Sequence, residues 1–338
     1  MGTRCVLQYR FPAHHADLFC SAGEKGGLPQ MIVYREAATL AQDLEIPSKT
    51  LYAVSNSLPA HYRRVSIPKR DGGVRQLLVP DEVLKHIQRQ IAQKLLIFME
   101  VSCCATAYRS GGGAVRNAAC HVGRREILRL DIRHFFDSVR YTTVKEAAFP
   151  ARIYAEPLRV LLTLLCYYGD GLPQGAPSSP AIANLVLRDF DRTMYGWCRE
   201  REITYTRYCD DLTFSGDRSL EGVREKAAAE LAAMGFFLHD GKTARRMAGQ
   251  RQTVTGLVVN EKISVPAETR RKLRQEVYFC RRFGVQQHLS RIGGGWDAAA
   301  YLDHLLGQTA YVLQADPTNA QARADRQWLL EARRQERT

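Results

Sequence analysis

No stretch of this chain approaches the ~20 consecutive apolar residues that carry a helix across a bilayer. The longest candidates, Val160–Cys166 and Gln90–Phe98, are short or interrupted by polar residues. A leader pattern is also missing: Met1–Arg10 holds two arginines, but Pro12, His14, His15 and Asp17 stand where an apolar run of about 7–15 residues would follow. The expectation is a cytoplasmic location. The nine cysteines contain no C-x-x-C spacing, which argues against a disulfide framework and structural zinc, and Cys103–Cys104 read as small buried hydrophobes. Repeats and low-complexity tracts are absent. Ser110-Gly111-Gly112-Gly113 lacks both a following Gly-Lys-Ser/Thr and a dinucleotide-binding spacing, and so reads as a plain turn. Acidic residues are in short supply, 35 against 48 Lys+Arg, leaving a formal net charge of +13 over 338 residues. With 45% hydrophobic and 25% charged residues the chain is an ordinary globular protein of about two or three lobes, not a disordered one. Its charge points to a polyanionic partner, nucleic acid or an acidic membrane, without choosing between them.

What is present reads as punctuated helices and strands. Glu36–Leu58 divides at Pro47 into two short helices, with Ser48 expected as the N-cap of the second. Arg63–Pro80 sets two β-type runs around Asp71-Gly72-Gly73, a hairpin-turn composition that needs positive φ, and Arg63, Arg64, Lys69, Arg70 and Arg75 crowd that turn. Asp81 is placed to cap a helix with Leu84, Ile87, Ile91 and Leu95 on one face. Further on, Glu126–Ile132, Ile203–Cys209, Leu212–Ser215 and Gln252–Val259 read as strands, and Ala181–Arg199 and Glu221–Met234 as helices, which predicts an α+β sheet lobe. The helical Glu268–Phe283 carries Arg270, Arg271, Lys272, Arg274, Arg281 and Arg282, with Leu273, Val277 and Cys280 as its apolar face. Helices continue through Trp296–Leu306 and Asn319–Arg334.

The sharpest chemical signal is Tyr208-Cys209-Asp210-Asp211, between two strand-like runs. Adjacent carboxylates at a hairpin tip repel each other; they persist in open solvent or around a divalent cation, because Mg2+ is a hard ion that takes oxygen ligands. Asp131 ends another apolar strand where it meets a loop. If the two strands are neighbours in one sheet, Asp131 and Asp210 bracket two Mg2+ ions about 3.5–4 Å apart, an arrangement suited to phosphoryl transfer.

Three boxes in order then resemble the reverse transcriptases. Leu130-Asp131-Ile132-Arg133-His134-Phe135-Phe136 is similar to their first catalytic strand, Gly171-Leu172-Pro173-Gln174-Gly175-Ala176-Pro177-Ser178-Ser179-Pro180 to the following box, and Tyr208-Cys209-Asp210-Asp211 to the Y-x-D-D box. Asn117-Ala118-Ala119-Cys120-His121 and Val254-Thr255-Gly256 resemble the N-A-x-x-H and V-T-G patterns of the retron branch. Cys209 stands where retron enzymes commonly carry Ala.

The resemblance implies a right-hand polymerase: residues 1–35 a segment of unknown role, 36–110 a helical preface and fingers, 111–262 a palm of antiparallel sheet and packed helices with inserted fingers elements, and 263–338 a helical thumb. It implies that Asp131, Asp210 and Asp211, with the carbonyl of Ile132, hold two Mg2+ ions, with Mn2+ as a substitute. Lys69 and Arg75 would grip the triphosphate, Gln174 would contact the incoming nucleotide, and Phe136 would bar ribose. Lys242 would protonate the leaving pyrophosphate. Asn117 and His121, spaced i, i+4, would be structural or face RNA, and Arg270, Arg271, Lys272, Arg274, Arg281 and Arg282 would grip the template duplex. The implied partners are a cognate non-coding RNA serving as template and primer, the RNA–DNA hybrid, dNTPs and an effector protein in anti-phage defence, with no membrane. The stretch after Val254–Gly256 is expected to leave no room for a large appended domain, favouring a retron over a group II intron or diversity-generating enzyme. A non-catalytic RNA-binding scaffold is the rival from another class.

Overall fold

The computed structural model describes residues 33–68 and 72–336; Lys69 and nearly all of the 1–35 segment lie outside the described residues. Two compact units form, one from residues up to 103 together with 136–188, the other from 104–135 together with 189 onwards. In the second unit the C-terminal helices share a core with the strands.

In the first unit, helices Ala37–Leu44 and Ser48–Asn56 bury Leu40, Leu44, Leu51 and Val54. Pro47, not Ser48, takes the N-cap position, and Ser48 is the first helical residue with no capping bond. The extended backbone of Pro47 already sets the entry to the helix. Strands β1 (Tyr62–Pro68) and β2 (Val74–Pro80) pair antiparallel, with Gly72 at φ +84° in the connection. Asp81 accepts from the Leu84 amide at 2.9 Å and starts helix Glu82–Lys94, as expected of an Asp at the N-cap. That helix buries Leu84, Ile87 and Ile91, and the Gln88 amide donates to the Leu165 carbonyl of helix Glu156–Cys166 at 2.9 Å.

The second unit is built on β3 (Glu126–Asp131), β4 (Thr204–Tyr208), β5 (Asp211–Gly216) and β6 (Ala244–Met247), in the order β4-β5-β3-β6 with every neighbouring pair antiparallel. Strand β6 has no alternation of apolar residues and escapes sequence reading. It is mostly exposed and is held by its edge pairing to β3 and by Arg245, whose guanidinium meets buried Glu126. Gln252–Val259 is not one strand. It folds back as β7 (Thr253–Val254) and β8 (Leu257–Val258) around Thr255 and Gly256, at φ +48° and +81°, the two positive angles of a tight hairpin turn. The 181–199 helix is likewise two, Ser179–Val186 and Arg188–Arg199, separated at Leu187.

Helix Ala267–Phe283 forms as expected, while Trp296–Leu306 is replaced by Ala298–Ala315. Asp297 and Asn319 cap the last two helices, accepting from Ala300 and Ala322. Leu273, Val277 and Cys280 pack in one core with Tyr301, Leu302, Leu305 and Leu329 and with Ile127, Val254 and Leu257 from the sheet side. Among the described residues no helix is long and apolar enough to cross a membrane.

Candidate active site

Strand register assembles the carboxylates. Strands β3 and β5 are neighbours with Asp131 directly opposite Asp211, which brings their Cβ atoms to about 5 Å. The Tyr208–Asp211 pair closes β4 against β5, leaving Cys209 and Asp210 as a two-residue tip. Cys209 sits at φ +61°, an uncommon angle for a residue other than glycine. Main-chain bonds then fix the edge: the Ile132 amide donates to the Asp210 carbonyl at 3.1 Å, and the His239 amide to the Asp131 carbonyl at 2.8 Å.

These charges oppose one another. Burial, then the Asp210 charge, pushes the Asp211 carboxyl up to about 6; burial, with the Asp131 charge adding to it, raises that of Asp210. The Lys242 ammonium, in the single turn Asp240–Lys242, lies 2.9 and 3.1 Å from the two Asp131 oxygens. Those bonds, together with the neighbouring carboxylates, raise its pKa, so it stays protonated at neutral pH. Among the described residues no group of three His, Cys, Asp or Glu side chains stands ready as a metal cluster. By donor chemistry the set nevertheless suits a hard divalent cation: carboxylate oxygens whose repulsion such an ion relieves, with the main-chain carbonyl of Ile132 beside them in sequence.

Within the first unit, the glycine-rich box is set by close backbone approach. A Cβ on Gly171 would lie 2.6 Å from the Phe136 carbonyl, and one on Gly175, at φ +126°, would lie 2.9 Å from that of Leu78. The Leu172 amide bonds Phe136 at 2.8 Å and the Leu78 amide bonds the Gln174 carbonyl at 3.1 Å, so Gln174 is tied to the basic hairpin. The Gln174 amide reaches Asp137 at 3.3 Å. Arg75 is exposed on β2, and Phe136 is half-buried.

The retron-like motifs face inward: of the two uses expected for Asn117 and His121, structural or RNA-facing, their burial fits the structural one. Asn117 and His121 are both 0% exposed. Asn117 accepts from the Thr106 hydroxyl at 2.9 Å, and the His121 ring nitrogens lie 2.6 Å from Ser215 Oγ and 2.7 Å from Thr206 Oγ1. The Thr255 hydroxyl bonds the Ala114 carbonyl at 2.8 Å, so the Val254–Gly256 turn docks on the helix that carries Asn117. On the basic helix, Arg270 donates to the Val265 carbonyl, and Arg281, though exposed, binds the Ala324 carbonyl and Asp325 with its guanidinium over Trp328; Arg271, Lys272, Arg274 and Arg282 are exposed.

Sequence reading missed one pair. Arg207 on β4 and Asp191 on helix Arg188–Arg199 are both fully buried, and the guanidinium forks onto the carboxylate at 2.8 and 2.7 Å. An arginine inside an otherwise uncharged strand, Ile203–Tyr208, was the available signal.

Comparison with known proteins agrees with this geometry. The family described as Reverse transcriptase (RNA-dependent DNA polymerase) matches residues 67–270. The Retron Mx65 reverse transcriptase of Myxococcus xanthus is 36% identical over 286 residues, covering 79% of this chain and 64% of that protein. The Retron Mx162 reverse transcriptase of the same organism is 30% identical, covering 78% and 59%. The Retron Ec83 reverse transcriptase of Escherichia coli is 31% identical, covering 66% and 77%. The chain thus spans less than two thirds of the length of the two Myxococcus proteins. With three ordered boxes, two paired carboxylate strands and these relatives, the chain belongs to the reverse transcriptases, in their retron branch.

Proposed function

We propose that this protein is the RNA-directed DNA polymerase of a retron, copying a structured non-coding RNA into single-stranded DNA that stays linked to that RNA as msDNA. The observation that carries the reading is the pairing of Asp131 with Asp211 across neighbouring strands, beside Asp210 at the hairpin tip, in a chain of this family. Two Mg2+ ions held by Asp131, Asp210, Asp211 and the Ile132 carbonyl would activate the attacking hydroxyl and neutralise the leaving pyrophosphate. Lys242 keeps a proton on Nζ at these carboxylates and is the group to donate it to the leaving oxygen. The family resemblance assigns Lys69 and Arg75 to the triphosphate, Gln174 to the incoming nucleotide and Phe136 to exclusion of ribose. Arg271, Lys272, Arg274 and Arg282 supply exposed cations for the phosphates of the RNA–DNA hybrid, so binding weakens steeply with salt.

Incorporation of labelled dNTPs on a primed RNA template with Mg2+ tests the reading, wild type against Asp210→Asn. Loss on the order of a thousandfold is expected for removal of such a charge-stabilising group. Equal incorporation by both would sink the assignment, and none by the wild type would favour an RNA-binding scaffold. Phe136→Ala is expected to admit ribonucleotides; unchanged sugar selectivity removes it from that role. Sequencing the copurifying nucleic acid separates the branches: RNA joined covalently to DNA supports the retron, while an intron RNA points to a group II enzyme. A role in anti-phage defence with an effector protein predicts that phage plate better on cells carrying Asp210→Asn than on cells carrying the wild type.

A further inference from the structure

Behind the carboxylate edge lies a buried charge pair that polymerisation chemistry does not itself require. Both side chains of Arg207 and Asp191 are 0% exposed. Removing two ions from water carries a large desolvation penalty, and well-packed apolar residues of similar volume often stabilise a core equally well. Stability alone is therefore a weak reason for this pair. Its hydrogen bonds suggest a stronger one.

Arg207 uses its planar fork in two directions. Nε and Nη2 engage the Asp191 oxygens at 2.8 and 2.7 Å, and Nη1 donates to the Cys209 carbonyl at 2.9 Å. Tyr205 also donates its hydroxyl to Asp191 at 2.7 Å, beside the two guanidinium bonds that already fix the carboxylate. The main chain of Arg207 is itself pinned, its amide donating to the Cys104 carbonyl and its carbonyl accepting from Thr106, both at 2.8 Å. The Cys209 carbonyl belongs to the peptide that joins Cys209 to Asp210. That peptide follows a residue at φ +61°, a conformation that persists only where the surroundings over-determine it. On the far side of Asp210, the Ile132 amide holds the next carbonyl. The backbone on either side of Asp210 is thus gripped, once by a guanidinium and once by an amide.

We infer that Arg207, aimed by Asp191, is a positioning residue: it clamps the strained Cys209 peptide so that the Asp210 carboxylate is presented in a fixed orientation. The inference deepens the polymerase reading and rests on it. A lysine cannot reproduce the clamp, because one ammonium lacks the rigid fork that engages carboxylate and carbonyl together.

The test compares full-length wild type with the double variant Asp191→Leu/Arg207→Met, with Arg207→Lys, and with Tyr205→Phe, which removes a bond to Asp191 but none to the turn. Three quantities are read: melting temperature, kcat and KM for dNTP in primer extension, and Mn2+ binding followed by electron paramagnetic resonance. The double variant is expected to remain folded yet lose about a hundredfold in kcat, as for a misplaced catalytic group, with KM little changed. Its Mn2+ affinity is expected to fall about tenfold, the usual cost of losing a group that orients a metal ligand. Arg207→Lys falls between the double variant and wild type, and Tyr205→Phe loses stability while keeping kcat. Wild-type kcat and Mn2+ affinity in folded Arg207→Lys or in the double variant overturn the clamp, as does a kcat that merely follows melting temperature across all three. If the double variant does not fold, Arg207→Lys decides. An inactive wild type refutes the polymerase reading alone, since Mn2+ affinity still tests the clamp.

Discussion

The same hairpin carries two opposite treatments of charge. At its tip, Asp210 and Asp211 join Asp131 in a cluster of one sign, where burial and repulsion push Asp211 up to about 6 and Lys242 balances only part of the charge. Just behind the tip, Arg207 meets Asp191 with complete burial and matched hydrogen bonds. The contrast separates a site from its support. Unmatched charge opposes folding and is kept where chemistry needs it; matched charge holds the backbone that the first group depends on.

Three experiments would break or sharpen that contrast, the largest effect first. Asp191→Leu alone strands a buried guanidinium and is expected to cost about 3–5 kcal/mol, whereas the double change with Arg207→Met is close to neutral. Denaturant unfolding measures both, and equal losses would mean that the pair is not coupled. Next comes pH. Burial first, then the Arg124 charge, holds the His121 imidazole down at about 3, against 6.5 in the unfolded chain. Below pH 6.5 the unfolded state binds the extra proton, so this contribution is complete above 6.5 and is lost as pH falls towards 3, about 2 kcal/mol by pH 5. His121→Gln should flatten that part of the stability profile; an unchanged slope assigns it to other groups. The smallest effect has the reverse sign. The Asp211 carboxylate is disfavoured in the folded state, so Asp211→Asn should raise stability at pH 7 by about 1 kcal/mol while abolishing incorporation, as read by thermal melting beside primer extension. A lower melting temperature would show that the tip is not strained by its charge.

Local chemistry made much of this legible. Asp81 caps its helix because a short carboxylate at that position satisfies a free amide, whatever packs around it. Leu273, Val277 and Cys280 share one helix face and are buried. Where reading failed, a distant partner decided. Strand β6 exists because β3 offers it an edge, and Gln252–Val259 folds back because Thr255 docks on Ala114. Asn117 and His121, for which the resemblance left a structural and an RNA-facing use open, are buried, with Asn117 Oδ1 accepting from Thr106 and the His121 ring bonded to Thr206 and Ser215.

The chain by itself thus determined which side chains could do the chemistry, since carboxylates, lysine and the glycine-rich box are residue types at fixed spacings along a local backbone. Only the tertiary structure decided their register, with Asp131 opposite Asp211 and Lys242 on Asp131, and only it showed which basic residues already bond within the protein. Arg207, Arg270 and Arg281 carry the same charge as Arg271 and Arg282, yet each of the first three already spends hydrogen bonds inside the protein. Burial and pairing arise from contacts between residues far apart in sequence, and a local pattern carries no record of them.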